Sequence, residues 1–301
     1  MAFEADGNEI NSAVIEESIG ERIVASDALN GFAANTVAAL TLESGDRVVF
    51  KAASARDVEV EVWALRSMAE RGVPTPPLLS WSTVGDRPHL ITRYVTGQPG
   101  VSTVVAAARA GTLLRAVHDL PVGGAGFFKE GAAPAPEAAA GSWPDFVAEF
   151  SGRIEPLAAA GVLTADLYDR CRDVLTDSKR WAHPVVFVHG DFHARHVLGL
   201  GTASEAIIDW ADSGAAPAWL DLARMDVEGA VERAFLNAYF PAGPPPDASA
   251  HLATYKLLYA LLALVWEYEG GGDWLHERVP GIEVALAVMT GAASTSSDVV
   301  R

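Results

Sequence analysis

One segment, residues 188–210, constrains this chain more than any other, because it combines short apolar runs with carboxylates and imidazoles. It reads V-H-G-D-F-H-A-R-H-V-L-G-L-G-T-A-S-E-A-I-I-D-W. The runs at 196–200 and 205–209 are short and apolar, and the Gly-Thr-Ala-Ser sequence at 201–204 is typical of a turn. This pattern predicts a β-hairpin whose ends carry polar side chains.

The register of that hairpin decides which side chains meet. If Leu200 faces Glu205, antiparallel pairing puts His196 opposite Asp209. Directly opposed residues have Cβ atoms roughly 4.5 to 5.5 Å apart, so both side chains could bind one cation. Asp191 would lie just before this pair, on the loop that enters the hairpin.

The two carboxylates of the segment fit a phosphate-transfer site. Phosphoryl transfer needs a group that orients the attacking hydroxyl, and metal ligands that neutralise the charge on the nucleotide phosphates. Asp191 and Asp209 can fill these roles. The alternative is that Asp191 caps a turn, Asp209 ends a strand and the histidines fill surface or core positions, which is the commoner fate of any such residue alone. Their combination in one segment favours the functional interpretation.

The segment resembles the catalytic and metal-binding loops of the aminoglycoside phosphotransferase family, whose members are relatives of the protein kinases. The family pattern of H-G-D, a hairpin and I-D-W or I-D-F is matched by residues 189–191 and 208–210. His196 stands where most members carry Asn, and the macrolide phosphotransferase branch is similar in having His there. The sequence Asp-Leu-Ala at 221–223 resembles the D-L-A that follows in the family, whereas Pro-Ala at 217–218 replaces the usual Asp-Pro.

This resemblance implies an α+β, protein-kinase-like two-lobe fold, with a small mixed β-sheet N-terminal lobe and a mainly helical C-terminal lobe. A chain of 301 residues is long enough for two lobes, each with its own core. We expect a nucleotide-binding lobe at 1–95. We expect residues 96–301 to form a helical lobe with the catalytic loop, the metal-binding hairpin and the acceptor site. The hinge between the lobes is predicted at 96–100.

The resemblance also assigns roles to single residues. It makes Asp191 the catalytic group that orients and deprotonates the hydroxyl, and it makes His196 and Asp209 the ligands of Mg²⁺. Because a small hard cation prefers oxygen ligands, His196 either binds the metal as a neutral imidazole or holds a metal-bound water. Three further residues are expected to support the loop, namely His189, His193 and Asp221.

A lysine and a glutamate form the predicted nucleotide side. Lys51 lies in an apolar strand, and Glu61 lies ten residues on, in an amphipathic helix predicted at 57–71. A strand lysine that contacts the nucleotide phosphates and is held by a helix glutamate is the kinase arrangement, although an isolated strand lysine is ordinarily just solvated. Glu59 is a rival partner, but Glu61 aligns with the family's E-x-x-x-L-R pattern.

Residues 30–37 occupy the place of the loop that covers the phosphates. In the related family a small polar residue takes the place of a glycine, and Asn35 or Thr36 would do so here. The alternative is an ordinary hairpin turn. The backbone groups of Arg93 and Val95, in the hinge strand, are expected to meet the base edge, so side chains do not reveal whether the donor is ATP or GTP.

The pattern elsewhere predicts a small number of strands and many helices. Two strands are expected on either side of the polar turn at 43–46, and a further strand at 88–95. The Gly-, Pro- and Ala-rich stretch at 121–141 is expected to be a surface loop. Helices are predicted at 101–120, 143–160, 164–181, 220–240, 247–269 and 280–293.

Candidate ligands for the acceptor combine aromatic rings with carboxylates. Such a group suits a bulky cationic sugar or amine, which it would bind by ion pairing and cation-π contact. The alternative is a solvated helix end with partly buried tryptophans. The candidates are Asp212, Trp266, Glu267, Tyr268, Glu269, Asp273 and Trp274.

The charge of the chain restricts its partners. With 22 basic and 39 acidic residues the formal net charge is −17, which argues against a nucleic acid as the partner. The negative charge is compatible with a cationic small-molecule acceptor, and equally with plain solubility.

The N-terminal residues, the apolar runs and the single cysteine indicate in which cellular compartment the protein is found. Residues 1–20 carry five acidic residues and no basic one, unlike a signal peptide. No uninterrupted apolar run approaches the roughly 18 residues of a membrane span. Cys171 alone excludes an internal disulfide, and its helical context favours a packing role over a nucleophile. We therefore expect a cytoplasmic protein with no membrane partner, present as a monomer or weak dimer.

Three functions are compared. The leading one is a nucleotide-dependent kinase that phosphorylates a hydroxyl of a small molecule, an antibiotic of the aminoglycoside or macrolide type, and so confers resistance. The second is a kinase for choline, homoserine or a sugar amine. The third is a nucleotide-binding pseudokinase, suggested by the missing Asn at position 196, but the retention of Lys51, Glu61, Asp191 and Asp209 together disfavours it.

Overall fold

A five-stranded sheet organises the first hundred residues of the computed structural model, which describes residues 2–5, 8–29, 35–83, 87–129, 137–225, 227–272 and 275–289. The elements of this part are β1 (Ala2–Ala5), β2 (Asn8–Asn11), α1 (Ser12–Ile19), β3 (Ile23–Leu29), β4 (Thr36–Leu42), β5 (Arg47–Ala52), α2 (Ala55–Glu70), β6 (Leu78–Ser82) and β7 (His89–Arg93). The strand order is β3-β4-β5-β7-β6, and the pairing is antiparallel rather than mixed. The turn at 43–46 joins β4 to β5 as predicted.

Helix α2 connects this sheet to the rest of the chain. Its first turn is capped by Ser54, whose hydroxyl accepts a hydrogen bond from the N–H of Asp57 at 3.1 Å. One face of the helix packs on the sheet, where Val62 clusters with Leu90. Met68 belongs instead to the large core of the helical part. The amphipathic helix predicted from the sequence is thus confirmed.

The rest of the chain is mainly helical and encloses a second, four-stranded sheet of order β10-β13-β8-β9. Its elements are α3 (Val104–His118), β8 (Ala125–Phe128), β9 (Ala138–Ala140), α4 (Trp143–Ser151), α5 (Glu155–Ala159), α6 (Ala165–Thr176), β10 (Val185–Val188), β11 (Val197–Leu198), β12 (Ala206–Ile207), β13 (Gly214–Pro217), α7 (Trp219–Arg224), α8 (Gly229–Tyr239), α9 (Ala248–Glu269) and α10 (Leu275–Met289).

The prediction of a surface loop over 121–141 is wrong where β8 and β9 lie, while residues 130–136 fall outside the described part. The small residues that suggested a loop instead permit close packing of strands. Gly126 has φ +96° and lies against the ring of Phe146. A Cβ at Gly214 would collide with the backbone of Gly126 in the neighbouring strand. Composition alone does not distinguish such strands from a loop.

Three predicted helices are interrupted in the structure. The helix predicted at 143–160 is broken by a 3-10 turn at Gly152–Ile154, and Pro156 lies in the first turn of α5, where its missing N–H costs nothing. The one predicted at 164–181 ends in a separate 3-10 turn, Ser178–Trp181. The one predicted at 220–240 is two helices, since α7 ends at Arg224 and α8 begins at Gly229. Apolar periodicity continues across these breaks and does not reveal them.

Helix α9 is the central helix of this part. By length and composition it could cross a membrane, with a mean hydropathy of 1.4 over its best window, but 67% of that window is buried inside the protein. Cys171 of α6 is also buried, which raises the pKa of its thiol to about 12 and agrees with the predicted packing role. Helix α10 begins at Leu275, five residues before its predicted start.

The β11–β12 hairpin is tied to segments on both sides of it. The N–H of Gly199 donates to the carbonyl of Gln98 in the hinge at 2.9 Å, and the N–H of Ile207 donates to the carbonyl of Pro74, after α2, at 2.9 Å. A Cβ at Gly97 would collide with the backbone of Gly199, so the hinge needs glycine at this position. The hairpin is therefore held in a fixed relation to α2 and the first sheet.

Candidate active site

The catalytic loop predicted at 189–191 is anchored by α7. The buried carboxylate of Asp221 accepts hydrogen bonds from the N–H groups of His189 at 2.7 Å and Gly190 at 2.9 Å. It also lies 3.0 Å from Nε2 of His118. Gly190 has φ +86°, and a Cβ there would collide with the carbonyl oxygen of Asp212. The backbone of the loop is thus fixed, and it requires glycine at its second position.

The ring of His189 links the catalytic loop to the end of the hairpin. Its Nδ1 accepts a hydrogen bond from the N–H of Asp191 at 3.2 Å, so Nε2 carries the proton and donates to the carbonyl of Ile208 at 2.9 Å. Burial lowers the pKa of His189, which keeps this imidazole neutral. The ring of His189 thus ties the backbone of Asp191 to the carbonyl of Ile208.

One oxygen of the Asp191 carboxylate is fully occupied. Its Oδ1 accepts hydrogen bonds from Nε of Arg224 and from the hydroxyl of Tyr259, the latter at 2.7 Å. Burial by itself would raise the pKa of Asp191, but the charges of Arg224 and His196 outweigh it and the pKa is lowered. Burial also raises the pKa of Tyr259 far above its ordinary value, so its hydroxyl remains a donor.

The other oxygen of Asp191 accepts no ordinary hydrogen bond from the described residues. Its Oδ2 lies 3.6 Å from Nε2 of His193 and 3.5 Å from Nδ1 of His196, distances longer than ordinary hydrogen bonds. Nδ1 of His193 accepts from the N–H of Arg195 at 3.1 Å, so Nε2 carries the proton. Burial, with repulsion from His196 and Arg224, lowers the pKa of His193 to about 3, which keeps the ring neutral.

The predicted register of the hairpin is wrong by one residue. In the structure Val197 pairs with Ile207, and the N–H of Ile208 donates to the carbonyl of His196 at 3.0 Å, so His196 lies opposite Ile208. Asp209 nevertheless reaches His196, because Asp209 has φ +64°, in the left-handed region, which redirects its side chain at the end of the strand. The expected pair forms through a backbone feature that periodicity does not encode.

The His196–Asp209 pair has the donor set of a cation site. Nδ1 of His196 lies 3.0 Å from the carbonyl oxygen of Asp191 and donates to it, so Nε2 is the ring nitrogen that could bind a cation. That nitrogen lies 3.4 Å from Oδ2 of Asp209. A neutral imidazole nitrogen and a carboxylate oxygen at this spacing could share one divalent cation. Asp191, His193 and His196 also place ligand atoms within 4.8 Å of one another, but the proton on Nε2 of His193 opposes ligation there.

Lys51 joins the two predicted halves of the site. Its Nζ donates to Oε2 of Glu61 at 2.7 Å and to Oδ1 of Asp209 at 2.6 Å. Burial acts to lower the pKa of Lys51, but the two carboxylates outweigh it and the pKa is raised. The same contact, against the effect of burial, holds the pKa of Asp209 below its ordinary value. The structure thus brings Lys51 and Glu61 together, and it does so beside the hairpin.

For the other residues predicted to bind the nucleotide, the structure gives burial and backbone contacts but no shared site. Asn35 is half-buried, and Thr36 is buried at the start of β4, while residues 30–34 of the predicted phosphate-covering loop lie outside the described residues. The N–H of Arg93 already donates to the carbonyl of Pro77 at 2.9 Å, so this donor is taken by β6–β7 pairing. Val95 follows β7 and comes directly before the predicted hinge.

The residues predicted to bind the acceptor fall into two groups, namely aromatic residues and carboxylates that are ion-paired with arginines. Trp266 packs edge-on against Phe127, with ring centroids 5.4 Å apart. Glu267 is buried and lies 3.4 Å from Arg278. Glu269 forms an exposed ion pair with an arginine, and Tyr268 is partly exposed. Asp273 and Trp274 lie outside the described residues.

The carboxyl group of Asp212 has a pKa in the physiological range. Burial, with repulsion from Asp191 and Asp209, raises its pKa to about 7, against the opposing charge of Arg56. The pKa of Asp209, which is bound to Lys51, and the pKa of Asp191, which is bound to Arg224, are both lowered, so these two groups are ionised. Asp212 borders Gly190 and hence the catalytic loop.

The raised pKa of Asp212 makes a prediction about stability. The folded pKa of about 7 lies above the ordinary value, so the folded chain holds a proton that the unfolded chain releases. Raising the pH from about 4 to about 7 should therefore lower the free energy of unfolding of the wild type, by on the order of 2 kcal/mol relative to Asp212→Asn. Urea denaturation of both proteins across this range measures the difference, and parallel pH curves would contradict it.

Two site residues, Arg224 and Tyr259, are absent from the sequence-based prediction. A signal for the first exists, since Arg224 lies three residues after Asp221 and residues at this spacing share a face of a helix. Tyr259 lies in the middle of the apolar helix α9, where periodicity gives no reason to distinguish it from its core neighbours. Its hydroxyl needs a partner when buried, and Asp191 supplies it.

The fold is that of a kinase-like phosphotransferase, with a lysine of the antiparallel sheet paired to a glutamate of α2, and with Asp191 and the His196–Asp209 pair in the helical part. Residues 27–251 match the phosphotransferase enzyme family known as APH, and the chain belongs to this family. The predicted membership is confirmed. A search of curated proteins found no match.

Solved structures share the fold at low sequence identity. A putative fructosamine-3-kinase from Thermobifida fusca is 22% identical, with 93% of this chain and 98% of that chain covered and a TM-score of 0.69. A thermostable mutant of the aminoglycoside phosphotransferase APH(4)-Ia is 16% identical, with 95% and 100% covered and a TM-score of 0.70. A macrolide 2′-phosphotransferase from Brachybacterium faecium is 17% identical, with 92% and 96% covered and a TM-score of 0.65.

Proposed function

We propose that this phosphotransferase transfers the terminal phosphoryl group of ATP or GTP to a hydroxyl of a small-molecule antibiotic in the cytoplasm, and so confers resistance. The observation that carries the proposal is the arrangement around Asp191. Its Oδ2 accepts no ordinary hydrogen bond from the described residues, and Nε2 of His196 lies 3.4 Å from Oδ2 of Asp209 nearby. Residues 1–95 would hold the nucleotide and residues 96–301 the acceptor.

The side chains of the candidate active site each have a role in the proposed reaction. The carboxylate of Asp191 orients the acceptor hydroxyl and takes its proton as the oxygen attacks phosphorus. Lys51, held by Glu61, is placed to contact the nucleotide phosphates. His196 and Asp209 would hold Mg²⁺, which when bound neutralises charge on those phosphates.

Two observations favour an acceptor with few positive charges, such as a macrolide, over a polycationic aminoglycoside. Glu267 and Glu269 are each ion-paired with an arginine of the chain itself, so their charge is already compensated. Trp266 and Phe127 instead offer aromatic surface, which suits a large apolar ring. A solved structure related in fold comes from the choline/ethanolamine kinase family, and a small-metabolite kinase is therefore the second candidate.

The test is a screen of hydroxyl acceptors with both nucleotides. Macrolides, aminoglycosides, choline, homoserine and sugar amines are incubated with the protein, Mg²⁺ and either ATP or GTP, and phosphorylated products are detected by mass spectrometry. The Asp191→Asn variant is the control for contaminating kinases. Phosphorylation of a metabolite alone would refute the antibiotic role, and tight nucleotide binding without any product would favour a pseudokinase.

Substitution of His196 tests the cation pair. We expect His196→Ala to raise the Mg²⁺ concentration needed for half-maximal activity by about tenfold, because one of the two facing groups is lost. His196→Asn should remain active, because an amide oxygen is a ligand that Mg²⁺ accepts well. Magnesium titrations of the transfer rate provide the measurement. Equal magnesium dependence of the wild type and His196→Ala would place the cation elsewhere.

A further inference from the structure

The hydrogen bond from Arg224 to Asp191 uses only one of the five N–H donors of the guanidinium. Its Nε donates to Oδ1 of Asp191, and the Tyr259 hydroxyl also interacts with the guanidinium and, against the effect of burial, raises the pKa of Arg224. In the described part of the chain, none of its nitrogens is buried without a partner. Since a guanidinium has five N–H donors, these two contacts leave further donors for a ligand beside Asp191. The side chain is 23% exposed, which agrees with an accessible edge.

The neighbours of Arg224 fix it in this position. Its guanidinium carbon lies 4.7 Å from the centre of the Tyr259 ring, a cation-π contact, and the Tyr259 hydroxyl bonds to the same oxygen of Asp191. One helical turn earlier on α7, Asp221 holds the backbone of the catalytic loop. The same short helix therefore positions both the loop backbone and a cation at its reactive side chain.

Arg56, another arginine near the site, uses its N–H donors differently. Nε of Arg56 donates to the carbonyl of Phe128 at 2.8 Å, and Nη1 donates to the carbonyl of Ala211 at 2.6 Å and to Asp57. Arg56 thus fastens backbone segments to each other. Arg224 bonds to no backbone carbonyl among the described residues.

We propose that Arg224 is a catalytic residue that contacts the phosphoryl group in transfer through its free N–H edge, while its Nε holds Asp191. The inference rests on the proposed phosphotransfer to a hydroxyl. In that step the acceptor oxygen forms a bond to the terminal phosphorus and its proton passes to Oδ2 of Asp191. The bond from phosphorus to the bridging oxygen breaks, and its electron pair leaves with the nucleoside diphosphate.

The charge distribution of that step explains why a cation belongs there. In a loose transition state the charge lies on the three outer oxygens of the transferring group, and an arginine can bind two of them at once. The phosphoryl group must lie next to the hydroxyl that Asp191 holds. Arg224 already touches Asp191, so its edge is within reach of those oxygens, whereas Lys51 is bound to Glu61 and Asp209.

The test compares nucleotide binding by four proteins, namely the wild type, Arg224→Gln, Arg224→Lys and the control Arg170→Gln. Arg170 lies on α6 and pairs with exposed Asp166, away from the site. Calorimetry with ATP and with ADP, at saturating Mg²⁺, gives the ratio of the two affinities, and slow hydrolysis of ATP gives a rate without a known acceptor. Circular dichroism confirms that each variant is folded.

We expect Arg224→Gln to bind ADP as the wild type does, to lose about tenfold in its preference for ATP, and to hydrolyse ATP about 10³-fold more slowly. Arg224→Lys should recover part of the preference but little of the rate, because an ammonium cannot make the bidentate contact. If hydrolysis falls while the ATP preference stays at the wild-type value, Arg224 only positions Asp191 and the inference is wrong. If the wild type itself binds no nucleotide, the proposed function fails as well.

Discussion

Asp191→Asn is expected to lower the rate of phosphoryl transfer by about 10³-fold while leaving nucleotide affinity nearly unchanged. The amide keeps an oxygen for Arg224 and Tyr259, so the local packing survives. It cannot take a proton, and it therefore leaves the acceptor hydroxyl without a base. Because Lys51 bonds to Glu61 and Asp209 and not to Asp191, nucleotide affinity should change little.

The measurement is the single-turnover rate of product formation with the acceptor identified by the screen, together with calorimetric titration of ATP. Asp173→Asn is the matched control, since Asp173 is an exposed aspartate of α6 outside the site. It should retain the wild-type rate. A loss of less than about tenfold in Asp191→Asn would show that another group serves as the base, because a general base contributes at least about 10²-fold.

The sequence is sufficient to predict the fold class and the residues of the central site, because these depend on residue types at fixed spacing. Lys51 and Glu61 meet although they lie on different elements, and Asp209 joins them from 158 residues away. The spacing within the H-G-D and I-D-W motifs carries this information. Residue periodicity supplies the strands and the helix that bring the two halves together.

What the sequence does not predict are features decided by backbone geometry and by contacts between distant elements. The contact between His196 and Asp209 depends on the left-handed backbone of Asp209, a conformation that a non-glycine residue adopts only when its surroundings enforce it. Tyr259 lies 68 residues from Asp191 and reaches it only after α9 packs against the loop. Neither contact produces a local sequence pattern. The small residues of the short strands β8 and β9 produce a pattern that wrongly predicts a loop.

The loop at 189–191 is fixed at its start by two sets of hydrogen bonds. Its backbone is bound to Asp221, and its ring at His189 is bound to the hairpin through Ile208. The hairpin is in turn bound to the hinge and to the segment after α2. Preorganised groups of this kind stabilise a transition state without having to reorganise at the moment of reaction. If Asp191 acts as proposed, the hydrogen bonds that stabilise the loop also position its catalytic group.

Asp221→Ala is therefore expected to lower the free energy of unfolding by about 3 to 5 kcal/mol, the range found when one partner of a buried charged network is removed. The substitution leaves three buried donors without an acceptor, namely the N–H groups of His189 and Gly190 and the ring nitrogen of His118. Each unsatisfied donor costs roughly 1 to 3 kcal/mol. Asp221→Asn should be milder, since one amide oxygen can still accept from the loop.

Urea denaturation followed by tryptophan fluorescence measures this loss, and amide hydrogen exchange locates it. In Asp221→Ala the amides of His189 and Gly190 should exchange much faster than those of the central helix α9, whose core is unchanged. Asp166→Ala, at an exposed position on α6, serves as the control and should change stability by less than about 0.5 kcal/mol. A similarly small change in Asp221→Ala would mean that water replaces the carboxylate at the loop. The catalytic geometry would then have to be maintained by Arg224 and Tyr259 alone.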